Sequence, residues 1–250
     1  MRSERFQTPG QVHLEVQIPS GDVEVRTGDV QETTVELEVG GRDGDQLEQE
    51  AKIECRSRGD GFEVVVEAPR GRGLGLFRRN GSYRVDITVP HGVELAAELG
   101  SADIRARGRY AEADVSVASG EVELERVDGE AKVDTASGDI EIGFARSAKV
   151  NSASGDVEIG DVAAGAQVNT ASGDIELGRV VEGEVKINSA SGDIEVRIAK
   201  GSRLWVDAQS LSGDTTSELE LSGGPVETDE GPLIELRAVT MSGDISVRRA

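Results

Sequence analysis

Hydrophobic and polar residues alternate along most of the chain, most clearly in segments of 17 to 19 residues. A period of two is typical of strands that bury one face. In each segment the alternation runs up to a Ser-Gly-Asp triplet and resumes directly after it. Because glycine, serine and aspartate favour tight turns, each segment predicts two short strands joined by a turn.

The triplet recurs at a nearly fixed distance. Four copies, spaced by 17, 18 and 19 residues, occupy residues 137–139, 154–156, 172–174 and 191–193. Related triplets stand upstream at residues 101–103 and 119–121, and wider steps lead to residues 212–214 and 242–244. The period is too short for a strand and a crossover helix. It fits one coil of a β-solenoid, in which equivalent strands stack in parallel about 4.8 Å apart.

We therefore predict an all-β fold. Residues 93–250 are expected to form a right-handed β-solenoid with two short strands per coil of about 18 residues. Residues 1–92 repeat less clearly but still alternate, and they predict strands separated by Gly, Pro and Asp turns, with a short helix at residues 44–52. We expect this first part to form an antiparallel β cap that is continuous with the solenoid, because solenoid ends need protection.

Stacked coils would place equivalent carboxylates in two columns, where like charges about 4.8 Å apart repel by about 1 kcal/mol even in water. Two interpretations of this arrangement stay open. Turn amides and serine hydroxyls hold the aspartates, or the acidic face binds Ca²⁺, another cation or a basic partner. The columns comprise Asp139, Asp156, Asp174 and Asp193 in the turns, and Glu141, Glu158, Glu176 and Glu195 in the strands that follow.

One segment opposes the general charge. Residues 70–84, RGRGLGLFRRNGSYR, contain five arginines and no acidic residue. The segment is interpreted as a flexible hairpin loop. Its functional alternative is a contact site for an anionic membrane surface or for the acidic columns of another copy. The candidate contact residues are Arg70, Arg72, Phe77, Arg78, Arg79 and Arg84.

The overall charge restricts the partners. Forty-eight acidic residues against 27 basic ones give a net charge of −21, which argues against nucleic acid as a partner. One cysteine cannot form an intramolecular disulfide. Neither a signal peptide nor an apolar membrane span is visible, so we expect a cytoplasmic chain as it stands, with peripheral association with the cell envelope as an alternative.

Catalytic motifs are not evident. The two histidines, His13 and His91, have no second histidine at metal-ligand spacing, and no Gly-x-Ser-x-Gly elbow occurs. We therefore expect no catalytic residue and no cofactor. A carbohydrate-active β-helix enzyme is the weakest alternative, because seven scattered aromatic residues offer few sugar platforms.

Three stretches carry a family resemblance. YRVDITVPHGVELAAELGSADIRARG, the serial TASGDIEIG coils and the final MSGDISVRR resemble the bacterial Toastrack family of β-strand-repeat, adhesin-like proteins. The resemblance implies a β-solenoid without known catalysis, often linked to envelope-stress modules and membrane partners. Our leading hypothesis is a non-enzymatic scaffold or protein-interaction module in envelope-stress signalling or adhesion, with protein partners or self-association. The alternative is a Ca²⁺-binding repeat protein that uses the acidic columns.

Overall fold

The computed structural model describes residues 1–69, 81–217 and 231–250. These residues form eighteen strands and one short helix, so the all-β fold class is confirmed. The chain divides into two compact units, residues 1–128 and residues 129–250.

The first unit combines parallel and antiparallel pairing. Strand β2 pairs in parallel with β5, β6 and β7, whereas β1 with β3, β3 with β6, and β4 with β5 are antiparallel. The antiparallel pairs agree with the prediction for this part of the chain, whereas the parallel pairs of β2 depart from it, so the pairing is mixed. The elements are β1 (Arg2–Gln7), β2 (Val12–Gly28), β3 (Glu32–Gly40), α1 (Gly44–Glu50), β4 (Lys52–Arg58), β5 (Gly61–Glu67), β6 (Ser82–Pro90), β7 (Val93–Ser119) and β8 (Val122–Thr135), whose last residues belong to the second unit.

The repeat begins earlier in the chain than the sequence analysis recognised. Residues 20–22, Ser-Gly-Asp, lie in β2 in register with Ser101-Ala102-Asp103 of β7. Both strands run through their triplets, because the ladder pairing continues on either side of them. Asp103 Oδ1 accepts a hydrogen bond from the backbone N–H of Glu121 at 2.9 Å, which links this triplet to the next one.

The second unit is a stack of short parallel strands with two strands per coil, which confirms the predicted solenoid architecture. One sheet follows the order β9, β11, β13, β17, β15, and the other follows β9, β10, β12, β14, β18, β16. The handedness of the coil stays a prediction. The strands are β9 (Ile140–Ser152), β10 (Val157–Val162), β11 (Ala166–Thr170), β12 (Ile175–Val180), β13 (Gly183–Ser191), β14 (Ile194–Ile198), β15 (Arg203–Ser210), β16 (Thr215–Ser217), β17 (Leu233–Ser242) and β18 (Ile245–Arg249).

The core of this unit is built from inward rows that repeat from coil to coil. Val150, Val168 and Ile187 are register partners in one sheet, and Ile159 and Leu177 are partners in the other. All five side chains are buried. Since branched aliphatic side chains fill these rows, the narrow core needs no aromatic residue.

The order of the coils in space differs from their order in sequence. The C-terminal coil, β17 and β18, lies between the coil of β13 and β14 and the coil of β15 and β16. Its inward residues Leu236, Ile245 and Val247 are buried, whereas Thr215 is exposed in the outer coil. A coil with a neighbour on each side hides its inward face from water, so the more apolar coil takes that position.

The crossover to the outer coil is held by the C-terminus. The Arg249 guanidinium donates hydrogen bonds to the carbonyls of Ala199 and Ser202 at 3.0 and 2.9 Å. Ser202 Oγ donates to the Val181 carbonyl at 2.7 Å. These bonds fix the segment through which the chain passes over the position of β17 and β18.

Candidate functional site

The aspartate column exists in the second unit and is a hydrogen-bonded ladder. Each aspartate except the last one offers one carboxylate oxygen to the backbone N–H of the aspartate on the next coil, at 2.8–2.9 Å. The turn amide that would otherwise be unsatisfied is the donor. In spatial order the ladder runs through Asp139, Asp156, Asp174, Asp193, Asp244 and Asp214.

A second ladder lies on the outer face just before the turns. The side-chain amide of Asn151 donates to Asp134, that of Asn169 to Asn151, and that of Asn188 to Asn169, at 2.7–2.9 Å. These hydrogen bonds pair a side-chain amide donor of each coil with a side-chain oxygen of the preceding coil along the stack. The ladder also shows how one outward position is used in the same way by successive coils.

The glutamate column is in register as predicted. Glu141, Glu158, Glu176 and Glu195 are successive Cα partners in parallel strands. Arg197 joins two of them, with its guanidinium 2.7 Å from Glu176 and 2.9 Å from Glu195. The ion pairs of Arg197 reduce the repulsion between Glu176 and Glu195. Because these charged groups are solvated, the ion pairs contribute little to the stability of the fold.

The acidic columns do not converge on a cation position in the part of the chain that the structure describes. That part contains no group of three or more His, Cys, Asp or Glu side chains arranged to hold a metal ion. One oxygen of every aspartate in the ladder except Asp214 already accepts a backbone hydrogen bond. In these residues, the geometry favours a structural use of the aspartates.

Most of the predicted arginine contact site lies outside the described residues: Arg70, Arg72, Phe77, Arg78 and Arg79. Arg84 is described, and it belongs to strand β6. Its Cα partners are Asp22 of β2 and Glu38 of β3. The alternation places Arg84 on the exposed face between the buried residues Tyr83 and Val85, and it sits there among acidic neighbours.

A different surface distinguishes the last two coils of the stack. The residue before the Ser-Gly-Asp turn is an exposed alanine in four coils, but it is Met241 in β17 and Leu211 after β15. Met241 is 59% exposed and Leu211 is 81% exposed. The backbone N–H of Leu211 donates to Thr240 at 3.1 Å, so the two side chains lie on adjacent coils. The four alanines are Ala136, Ala153, Ala171 and Ala190.

Val239 extends this apolar area. It is the Cα partner of Asn188 at the end of the amide ladder, and it is 43% exposed. We call Leu211, Val239 and Met241 the terminal patch. Of the large apolar side chains that are exposed in the described residues, all but Met1 lie between Trp205 and Met241. Clustered exposed apolar side chains mark interaction sites more often than single ones do.

Comparison with known proteins decides the family. The sequence profile of Toastrack DUF4097 matches residues 11–248, which is nearly the whole chain. The chain belongs to the Toastrack family. No curated protein matches this Toastrack chain closely enough to count as a relative.

One solved structure supports the shared fold. A crystal structure of a "putative adhesin" from Bacteroides fragilis is 12% identical, with a TM-score of 0.51 over 100% of this chain and 96% of that chain. Another protein described in the same words, from Parabacteroides distasonis, is 13% identical, with a TM-score of 0.45 over 100% and 96% of the two chains. At such low identity the likeness to the first structure concerns the fold alone.

Sequence reasoning missed the terminal patch of this Toastrack chain. The signal was present, because Thr-Met-Ser-Gly-Asp and Ser-Leu-Ser-Gly-Asp replace the Ala-Ser-Gly-Asp of the other coils. Their effect depends on the adjacency of the two coils, which the pairing of β15 with β17 reveals. No helix in the described residues has the length and apolar character needed to span a membrane.

Proposed function

We propose that this Toastrack chain is a non-enzymatic interaction module that binds a protein partner through the terminal patch. The observation that carries the proposal is the replacement of a repeated alanine by Met241 and Leu211 on neighbouring coils. Both side chains leave large apolar surfaces in water, which is unfavourable unless a partner covers them. Methionine also adapts its shape to a partner surface.

The ladders support the division of the chain into scaffold and contact surface. Asp156, Asp174 and Asp193 use their carboxylates to join coils, and Asn151 and Asn169 use their amides in the same way. These repeated polar groups make the stack regular and rigid. A rigid stack holds the terminal patch in one geometry and so reduces the entropy lost on binding.

Adhesion and cell-envelope stress signalling are the two settings that we propose for this module. The Bacteroides fragilis protein described as a "putative adhesin" has a related fold, which is compatible with the first setting. In both settings a contact surface for another protein is required. Peripheral contact with an anionic membrane through residues 70–84 stays a separate prediction. Calcium binding is not proposed as a second function, because the aspartate ladder already uses its carboxylates between coils.

The test replaces Leu211 and Met241 together by alanine. We expect the affinity for the partner to fall at least about tenfold, because two apolar contacts are lost. The fold should be retained, since alanine occupies the same position in four other coils. The partner is first captured from native bacterial extract and identified by mass spectrometry. Its affinity for the wild-type chain and for the variant is then measured by calorimetry with purified proteins.

Leu233→Ala is the matched control. Leu233 is 41% exposed on the same strand as Met241, but it lies at the opposite end of β17. This variant should bind like the wild type. Equal binding by the double variant and the wild type would contradict the proposal, as would an equal loss in the Leu233→Ala control.

A further inference from the structure

Strand β15 is the outer strand of its sheet among the described residues. It pairs with β17 in parallel from Arg203 to Ser210, and this is its one strand partner in that part of the chain. A strand with one paired edge presents main-chain N–H and C=O groups on the other edge. β15 also carries exposed apolar side chains, since Trp205 is 47% exposed and Val206 is 42% exposed.

The main-chain hydrogen bonds define which residues face this edge. The N–H of Arg203 donates to Pro232 at 2.9 Å, and the N–H of Leu211 donates to Thr240 at 3.1 Å. In a parallel ladder the residues that bond to one neighbour alternate with residues directed to the other side. The residues directed away from β17 are therefore Leu204, Val206, Ala208 and Ser210.

Val206 lies at the open end of the core rows. Its register partner is Leu236, which in turn pairs with Val185, and both of these side chains are buried. Val206 belongs to the same inward row but has no equivalent residue beyond it in the described residues. An added strand with apolar side chains at this position would continue the core and remove Val206 from water.

We propose that β15 pairs antiparallel with β15 of a second copy, centred on Trp205. In this register Leu204 of each copy exchanges backbone hydrogen bonds with Val206 of the other, which agrees with the directions of their main-chain groups. The outward residues meet as Trp205 with Trp205 and as Arg203 with Asp207, twice by symmetry. The opposite charges make the edge self-complementary.

The charged side chains favour this register over the other registers in which the main-chain N–H and C=O groups of the two β15 strands could also pair. A pairing centred on Asp207 would set two aspartates opposite each other, which is unfavourable. A pairing centred on Val206 would place Arg203 opposite Gln209. Arg203 already donates to the Gly231 carbonyl at 3.0 Å, and its guanidinium has further N–H groups that can donate to a carboxylate of the second copy.

This self-association goes beyond the proposed function. It uses the main-chain edge of β15, whereas the partner is proposed to bind Leu211, Val239 and Met241. Its test uses the purified chain alone, so its outcome does not depend on the partner. Antiparallel pairing about a two-fold axis also closes the edge, because each copy covers the same strand of the other.

The experiment combines charge reversal with sedimentation velocity over a dilution series. The wild-type chain should be a dimer that dissociates on dilution. Arg203→Asp and Asp207→Arg should each weaken dimerisation at least about tenfold, because each creates two like-charge pairs. An equimolar mixture of the two variants should form a heterodimer, and the double variant should regain the dimer. Trp205, the one tryptophan in the chain, supplies a fluorescence signal for the same equilibrium.

Val206→Pro is a second variant that tests the backbone pairing. Its N–H is directed away from β17, so proline should leave the bonds to β17 intact and block the added strand. Circular dichroism checks that each variant is folded. A wild-type chain that stays monomeric at all soluble concentrations would overturn the proposal. A mixture of the two charge variants that fails to associate would overturn it as well.

Discussion

Replacing Gly173 with alanine is expected to lower the free energy of unfolding of the second unit by several kcal/mol, a large part of the stability of an ordinary domain. Gly173 has a φ of +124°, which a residue with a side chain adopts at a cost of about 1–3 kcal/mol. The added Cβ would also lie far inside the contact distance of the Gly155 carbonyl oxygen on the neighbouring coil.

The backbone cannot move away without breaking the ladder. The N–H of Gly173 donates to Ser191 at 3.2 Å, and the next N–H, that of Asp174, donates to Asp156 at 2.8 Å. A backbone shift that relieves the clash would lengthen the hydrogen bonds to the coils on both sides. The loss of stability should therefore exceed the cost of the positive φ alone.

Gly201→Ala is the matched control for this effect. Gly201 has a φ of +84°, but a Cβ at this position would have nothing within 4 Å. We expect it to cost about 1–2 kcal/mol, the penalty for a left-handed conformation. Urea unfolding followed by circular dichroism measures both variants. Equal losses would mean that the close stacking of the turns does not restrict Gly173.

Leu236→Ala is expected to lower the free energy of unfolding by about 2–5 kcal/mol. Leu236 is fully buried in the C-terminal coil, because that coil lies between two others. Truncation leaves a cavity between Val185 and Val206 that the paired backbones cannot fill. Thermal and urea unfolding with circular dichroism detection would measure the loss.

Val206→Ala tests the same row in the outer coil. Val206 is the register partner of Leu236 but is 42% exposed in the single chain, so its truncation should cost less than about 1 kcal/mol at concentrations where the chain is monomeric. If the coils were stacked in their sequence order, Val206 would be the interior residue and Leu236 would be terminal. The reverse ranking of the two variants would therefore contradict the inserted position of the C-terminal coil.

Much of the fold could be predicted because the repeat is local. The alternation around residues 154–156 and 172–174 fixes which side chains are buried, and the period fixes the number of strands per coil. The coil order could not be predicted in the same way, because every coil has similar strand propensity. The order of the coils depends on which coil buries more apolar surface. The two competing coils differ little in this respect, for example by Ile245 in β18 where β16 has Thr215 at the same register position.

The candidate site was less predictable than the fold. Asp139 and Glu141 have counterparts in the other coils, but this repetition follows from the needs of every turn and strand. Met241 and Leu211 instead depart from the repeat on the outer face, and this departure is the reason that we propose a distinct function for them. Their departure acquires meaning once the inserted coil places them side by side.

Site-specific photo-crosslinking tests the central claim, that the terminal patch is the contact surface, most directly. A photoreactive amino acid is placed at Met241 and, in a second chain, at the exposed Ala153 of the equivalent position in an inner coil. In native bacterial extract, we expect one discrete protein adduct at position 241 and little or none at position 153. Equal adducts at both positions, or none at position 241, would contradict it.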